Sequence, residues 1–246
     1  MKIKLFLSAA ICLSLSNTTL ANNVDLCVTK IKAELYTEAV PYCEKACNLN
    51  DGLGCGILGV LFDKGQGVRQ NYQQAKTYYE KACNLNDDVS CGILGGLYAN
   101  GRGVRQNYQQ AKTYYEKACN LNDGVSCGIL GGLFYEGQGV RQNYQQAKTY
   151  SEKACNLNNG LGCSTLGFLY SKGQGVRQNY QQAKTYFEKA CNLNEVAGCV
   201  GLGALFHEGL GVRQDKRTAK EYYGKACDLG VQSSCDIYRK LNEQGY

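Results

Sequence analysis

The residues best equipped for chemistry are the fifteen cysteines of this 246-residue chain, and their spacing says which chemistry. Six pairs keep an eight-residue step: Cys47/Cys55, Cys83/Cys91, Cys119/Cys127, Cys155/Cys163, Cys191/Cys199 and Cys227/Cys235. Closely spaced thiols either ligate metal or form disulfides. Structural zinc takes Cys-x₂₋₄-Cys clusters, usually two per ion and often completed by histidine. Here the step is longer and His207 is the single histidine, so disulfides are predicted, with no metal and no cofactor. Cys27 and Cys43 remain in the chain beyond its first 21 residues and are read as a seventh bridge.

Other candidates for chemistry are weaker. Gly65 to Val68 reads Gly-Gln-Gly-Val, but it follows a helical pattern, whereas a dinucleotide loop follows a strand and opens a helix. Arg69, Arg105, Arg141, Arg177 and Arg213 recur in register. They would form either a basic ridge for carboxylate-bearing ligands or a row of arginines that stay in water. His207 would need a carboxylate partner for acid–base work, and Glu208, adjacent in sequence, is expected to point elsewhere on a helix.

What positions these residues is a repeat. Asn-Tyr-Gln-Gln-Ala-Lys-Thr-Tyr begins at Asn71, Asn107, Asn143 and Asn179, a 36-residue period. Such a period marks an all-α solenoid whose units cannot bury their apolar faces alone. In the unit over 71–100, Asn71 is a helix N-cap and Gln74 its capping-box partner. Ala75, Tyr78, Tyr79 and Ala82 form one apolar face. A polar turn follows Cys83, and a second helix starts near Val89 with Cys91, Leu94, Gly95 and Tyr98 inward. Gly101 stops it as a left-handed cap. Each bridge would then join the end of the first helix to the start of the second. Glycines in register at 59, 95, 131, 167 and 203 imply that a neighbouring helix packs close to the backbone.

The ends differ from the middle. Residues 1–21 read as an export signal, with Lys2 and Lys4, an apolar stretch from Leu5 to Leu15, and Thr19-Leu20-Ala21 before the cut. Cys12 lies in that stretch behind bulky Ile11, which argues against lipoprotein processing. Removing it leaves fourteen cysteines, an even number that suits an oxidising compartment, so the chain is expected to be secreted or periplasmic. Residues 22–36 are expected to form an N-terminal capping helix and 37–235 six disulfide-linked hairpins. Residues 236–246 would make a polar C-terminal capping helix and tail. The only proline, Pro41, is expected to start or bend the helix carrying Cys43. Loss of Lys2 and Lys4 lowers the net charge from +6 to +4, a mild bias that calls for no nucleic acid. No later stretch is apolar enough for a membrane span, and a monomer is expected.

Cys163-Ser164-Thr165-Leu166-Gly167-Phe168-Leu169-Tyr170, with Tyr186-Phe187-Glu188-Lys189-Ala190-Cys191, resembles the Sel-one-like repeat (SLR) superfamily, a relative of tetratricopeptide repeats. With paired cysteines and an export signal added, it resembles the Helicobacter cysteine-rich protein family over residues 24–240. The resemblance implies an α/α superhelix with one disulfide per hairpin. It also implies binding and slow hydrolysis of β-lactams, or recognition of peptidoglycan fragments. The residues supply no matching catalytic motif. Ser-x-x-Lys is absent, Ser151 stands two residues from Lys153, and Lys76-Thr77 precedes tyrosine rather than glycine. The alternative is a secreted, non-enzymatic scaffold engaging host or envelope proteins.

Comparing the repeats with one another locates a candidate groove. Most positions hold constant, while three on the second helix change: Val60, Gly96, Gly132, Phe168, Ala204; then Asp63, Ala99, Tyr135, Ser171, His207; then Lys64, Asn100, Glu136, Lys172, Glu208. Spacing of i, i+3, i+4 puts them on one stripe. By analogy with tetratricopeptide relatives it would face a ligand groove, or it is simply exposed surface that drifts. The polar and aromatic members, Asp63, Lys64, Asn100, Tyr135, Glu136, Ser171, Lys172, His207 and Glu208, are the candidate ligand contacts.

Overall fold

A computed structural model describes residues 22–246, so the export signal expected over 1–21 lies outside the described residues. These residues form thirteen helices and no strand. Residues 22–32 are α1, followed by α2 (Tyr36–Asn48), α3 (Gly52–Lys64), α4 (Tyr72–Asn84), α5 (Asp88–Asn100) and α6 (Tyr108–Asn120). Then come α7 (Gly124–Glu136), α8 (Tyr144–Asn156), α9 (Gly160–Lys172), α10 (Tyr180–Asn192), α11 (Val196–Glu208), α12 (Lys216–Asp228) and α13 (Gln232–Glu243). They divide into two compact units, the first ending at Leu121 and the second running from Asn122 to Tyr246. Cys235 lies inside α13, and α2 starts five residues before Pro41, which it carries in its interior.

The first helix of each hairpin starts at a capping side chain. Asn71 Oδ1 accepts from Gln73 N at 3.1 Å and Gln74 N at 3.2 Å. The capping box expected with Gln74 does not form. Asn71 N donates instead to Phe62 O at 2.9 Å, a carbonyl in the last turn of α3 that lacks an intrahelical donor. One bond thereby satisfies two terminal groups. The turn after α4 is a Schellman motif: Asp87 N donates to Ala82 O and Asn86 N to Cys83 O, both at 3.0 Å. Asn86 takes the left-handed conformation at φ 65°. Asp87 then caps α5 by accepting from Ser90 N at 2.8 Å. The second helix ends at Gly101, with φ 69°.

Within each hairpin the apolar faces meet as expected. Ala75, Tyr79 and Ala82 are buried, as are Leu58, Leu94, Leu130, Leu166 and Leu202. Rings stack between a second helix and the helix that follows it: Phe62 on Tyr78 at 5.4 Å and Tyr170 on Tyr186 at 5.5 Å between centroids. The in-register glycines serve a second ring. A Cβ at Gly95 would lie 2.6 Å from the Tyr115 ring, so only a bare backbone lets that ring lie flat. Contacts about one period apart then tie hairpins together. Gln73 Nε2 donates to Gly103 O at 2.8 Å, and Lys81 Nζ to Cys47 O at 2.7 Å.

Disulfides join Cys47–Cys55, Cys83–Cys91, Cys155–Cys163, Cys191–Cys199 and Cys227–Cys235, each eight residues apart, and Cys27–Cys43 across sixteen. Cys119 and Cys127 are disulfide-bonded as well. Closing so short a loop contributes about 2–3 kcal/mol per bridge on the loop-entropy account. This number of bridges suits an oxidising, extracytoplasmic environment.

Candidate functional site

The stripe on the second helices carries different chemistry in each unit. In the first, Asp63 sits at the end of α3, 9% exposed, and pairs with Arg102 from the loop after α5. Its Oδ1 is buried without a partner. Arg102 also lies over the Tyr72 ring, 5.8 Å from its centroid. Burial, reinforced by the Asp63 carboxylate, pushes the Tyr79 hydroxyl far above the usual tyrosine range. Lys64 and Asn100 are exposed, and neither joins this pair.

In the second unit two clusters form. Lys172 Nζ donates to the Tyr135 hydroxyl at 3.0 Å and lies 5.6 Å from the Tyr135 centroid and 5.7 Å from that of Phe168. Phe168 in turn meets the Phe187 ring edge-on at 5.1 Å. Glu136 is exposed, and Ser171 Oγ donates back to Phe168 O at 3.0 Å. His207 meets the Tyr223 ring edge-on at 6.3 Å, with Nδ1 buried and unpartnered. Glu208 is nearer than expected, its carboxylate 3.9 Å from His207 Nε2, still beyond hydrogen-bond length. Both border a cleft of about 410 Å³ shared with Lys216 and Lys240.

Arg102, and the buried position of Ser151, escaped the sequence reading. Arg102 replaces the glutamine found at Gln66, Gln138 and Gln174, and that departure was the available signal. Ser151 stands where Tyr79, Tyr115, Phe187 and Tyr223 place rings, and its hydroxyl is fully buried with no partner. A serine so enclosed, with no base in reach, is not an activated nucleophile. Among the described residues, no three His, Cys, Asp or Glu side chains gather to hold a metal. Nor is any described helix long and apolar enough to cross a membrane.

Hairpins of this length and capping match a known family. The Sel1 repeat pattern fits residues 54–87, 90–123, 126–159, 161–195 and 196–231, more than half of the chain. The chain belongs to the Sel1 repeat family. Its fold is shared with a Sel1 repeat protein from Oxalobacter formigenes, at 24% identity and TM-score 0.75, over 90% of this chain and 98% of that one. It is also shared with a protective antigen of uropathogenic Escherichia coli, at 23% identity and TM-score 0.78. That alignment covers 85% of this Sel1 chain and 45% of the antigen, so the chain spans less than half of that protein. Helicobacter pylori cysteine rich protein B aligns at 36% identity and TM-score 0.44, over 56% of this chain and 99% of its own length. No curated protein matches the chain by sequence.

Proposed function

We propose that this Sel1 chain is a disulfide-stapled, non-enzymatic scaffold that binds protein segments along the stripe of its second helices. The observation that carries this reading is the split between constant and changing positions. Capping, ring-on-glycine and disulfide positions repeat almost unchanged, while the stripe holds an Asp63–Arg102 pair, a Tyr135–Phe168–Lys172 cluster and a His207 cleft. A surface that varies its chemistry from repeat to repeat suits recognition of extended, irregular partners. We place the chain among cysteine-rich Sel1 proteins like that of Helicobacter pylori, acting as a monomer in the periplasm or outside the cell. Host or envelope proteins, rather than β-lactams, are the ligand class we assign, because the stripe offers a different set of side chains in each repeat.

The reading is tested by incubating purified, oxidised protein with benzylpenicillin and following ring opening by NMR. No turnover above buffer is expected. Turnover that disappears on replacing Tyr135, Lys172 or His207 with alanine would overturn the non-enzymatic reading.

A further inference from the structure

The first unit holds one half-enclosed cavity whose wall is almost wholly apolar, of about 240 Å³. That is the room of roughly eight waters at ~30 Å³ each, enough for one large side chain and too little for a helix. Ile57 and Val60 of α3 and Ile93 of α5 line it, and Ile31 and Tyr36 from the N-terminal end close one side. Nothing in the repeat pattern requires it. Position 57 reads isoleucine again at Ile93 and Ile129 but threonine at Thr165 and glycine at Gly201, and position 60 becomes Phe168. At the lip, Leu53 is 51% and Val89 60% exposed, a pair of apolar side chains left to water on both sides of an apolar recess.

The wall contains a single ionic group, the carboxylate of Asp87. It caps α5, and Asp88 follows with its carboxylate accepting from Val89 N at 2.9 Å. The helix terminus carries about half a positive charge, less than the two carboxylates, so the rim remains net negative. An apolar recess with a negative rim and no lining cation suits an apolar side chain flanked by a positive one.

Resting on the scaffold reading, we infer that this cavity is a side-chain receptor: it takes an aromatic or branched aliphatic residue of an extended peptide whose neighbour is lysine or arginine. The apolar residue enters between Leu53 and Val89, while its cationic neighbour stays at the rim near Asp87.

Two substitutions test this without foreign chemistry, because each installs the residue that another repeat already holds in the same register. Val60→Phe copies Phe168 and fills the cavity. Asp87→Asn copies Asn159, which caps α9 by accepting from Gly162 N at 3.0 Å, so charge is lost and the cap kept. The probe is acetyl-Gly-Ser-Phe-Lys-Ser-Gly-amide, titrated into ¹⁵N-labelled oxidised protein. Saturable shifts are expected at Ile57, Val60 and Ile93, weakened roughly tenfold when the probe's Phe becomes Ala. Val60→Phe should abolish them at an unchanged melting temperature. Asp87→Asn should weaken the probe by a few-fold and erase its advantage over a version with Glu in place of Lys. Absence of saturable shifts, or shifts indifferent to Val60→Phe, would overturn the site. Shifts confined to the second unit would do so while leaving the scaffold reading intact. Equal binding of the Lys and Glu probes to the unsubstituted protein would overturn the cationic part.

Discussion

The two units build the same hairpin from nearly the same residues and then diverge where the second helices show their stripe. In the first, the stripe borders an aliphatic cavity at Val60 and has an acidic residue withdrawn into a pair with Arg102. In the second, it is aromatic and cationic, with Lys172 resting on Tyr135 and Phe168. Among the buried ring positions the interior diverges at one point. Tyr79 and Tyr115 lie flat on Gly59 and Gly95, but Ser151 meets Gly131 with a hydroxyl that bonds to nothing. Variation on the surface therefore leaves the hairpin intact, whereas variation at the ring position leaves an uncompensated polar group.

That contrast can be broken, most strongly at the ring position. Tyr115→Ala should cost about 3 kcal/mol or more, as truncation of a buried ring does. Ser151→Ala should lie between no change and a gain of about 1 kcal/mol, because it removes a buried hydroxyl without a partner. Repeat arrays need not unfold in one step, so native-state hydrogen exchange within each hairpin is the measurement for both. A cost for Ser151→Ala like that of Tyr115→Ala would mean that the serine is bonded.

The staples should behave alike in both units. Replacing Cys83 and Cys91 by serine, or Cys155 and Cys163, should each lower local stability by about 2–3 kcal/mol. Hairpins of unequal dependence would show that one unit relies on its bridge more than its helices.

Smaller effects separate adjacent glycines. Gly95→Ala would bring a methyl to 2.6 Å from the Tyr115 ring and should cost about 1–3 kcal/mol. Gly132→Ala meets nothing within 4 Å and should gain up to about 1 kcal/mol from helix propensity. Thermal melts of the two variants should shift in opposite directions.

The smallest effect concerns pH. Hydrogen bonds from the Thr218 hydroxyl and backbone hold the Asp215 carboxyl below its ordinary value. A depressed folded-state value contributes stability above the unfolded value of about 3.9, lost as pH falls through the folded one. Asp215→Asn should flatten that acid-side slope in circular dichroism melts, slightly lowering stability at neutral pH, where the charged carboxyl contributes, and leaving the acid end unchanged.

Local rules made the hairpin legible. Asn71, Gly101, the Ala75–Tyr79–Ala82 face and every cysteine pair follow from spacings within one period. The contacts that escaped are those between residues about one period apart. Asp63 meets Arg102 across 39 residues, Tyr135 meets Lys172 across 37, and Lys81 reaches Cys47 O across 34. A 36-residue stack makes such separations neighbours, so the period itself was the signal for them. The capping box failed for a nearer reason, since Phe62 O at the end of the preceding helix takes the amide that Gln74 was expected to hold.

The central claim is that partners are read by the stripe and not by the faces of the first helices. Amide shift mapping of the ¹⁵N-labelled, oxidised protein against a pooled random hexapeptide library tests it most directly. Saturable shifts at stripe positions such as Val60, Tyr135, Lys172 and His207 are predicted, with Gln73, Lys76 and Gln145 unmoved. Shifts gathered on those first-helix residues, with the stripe silent, would contradict it.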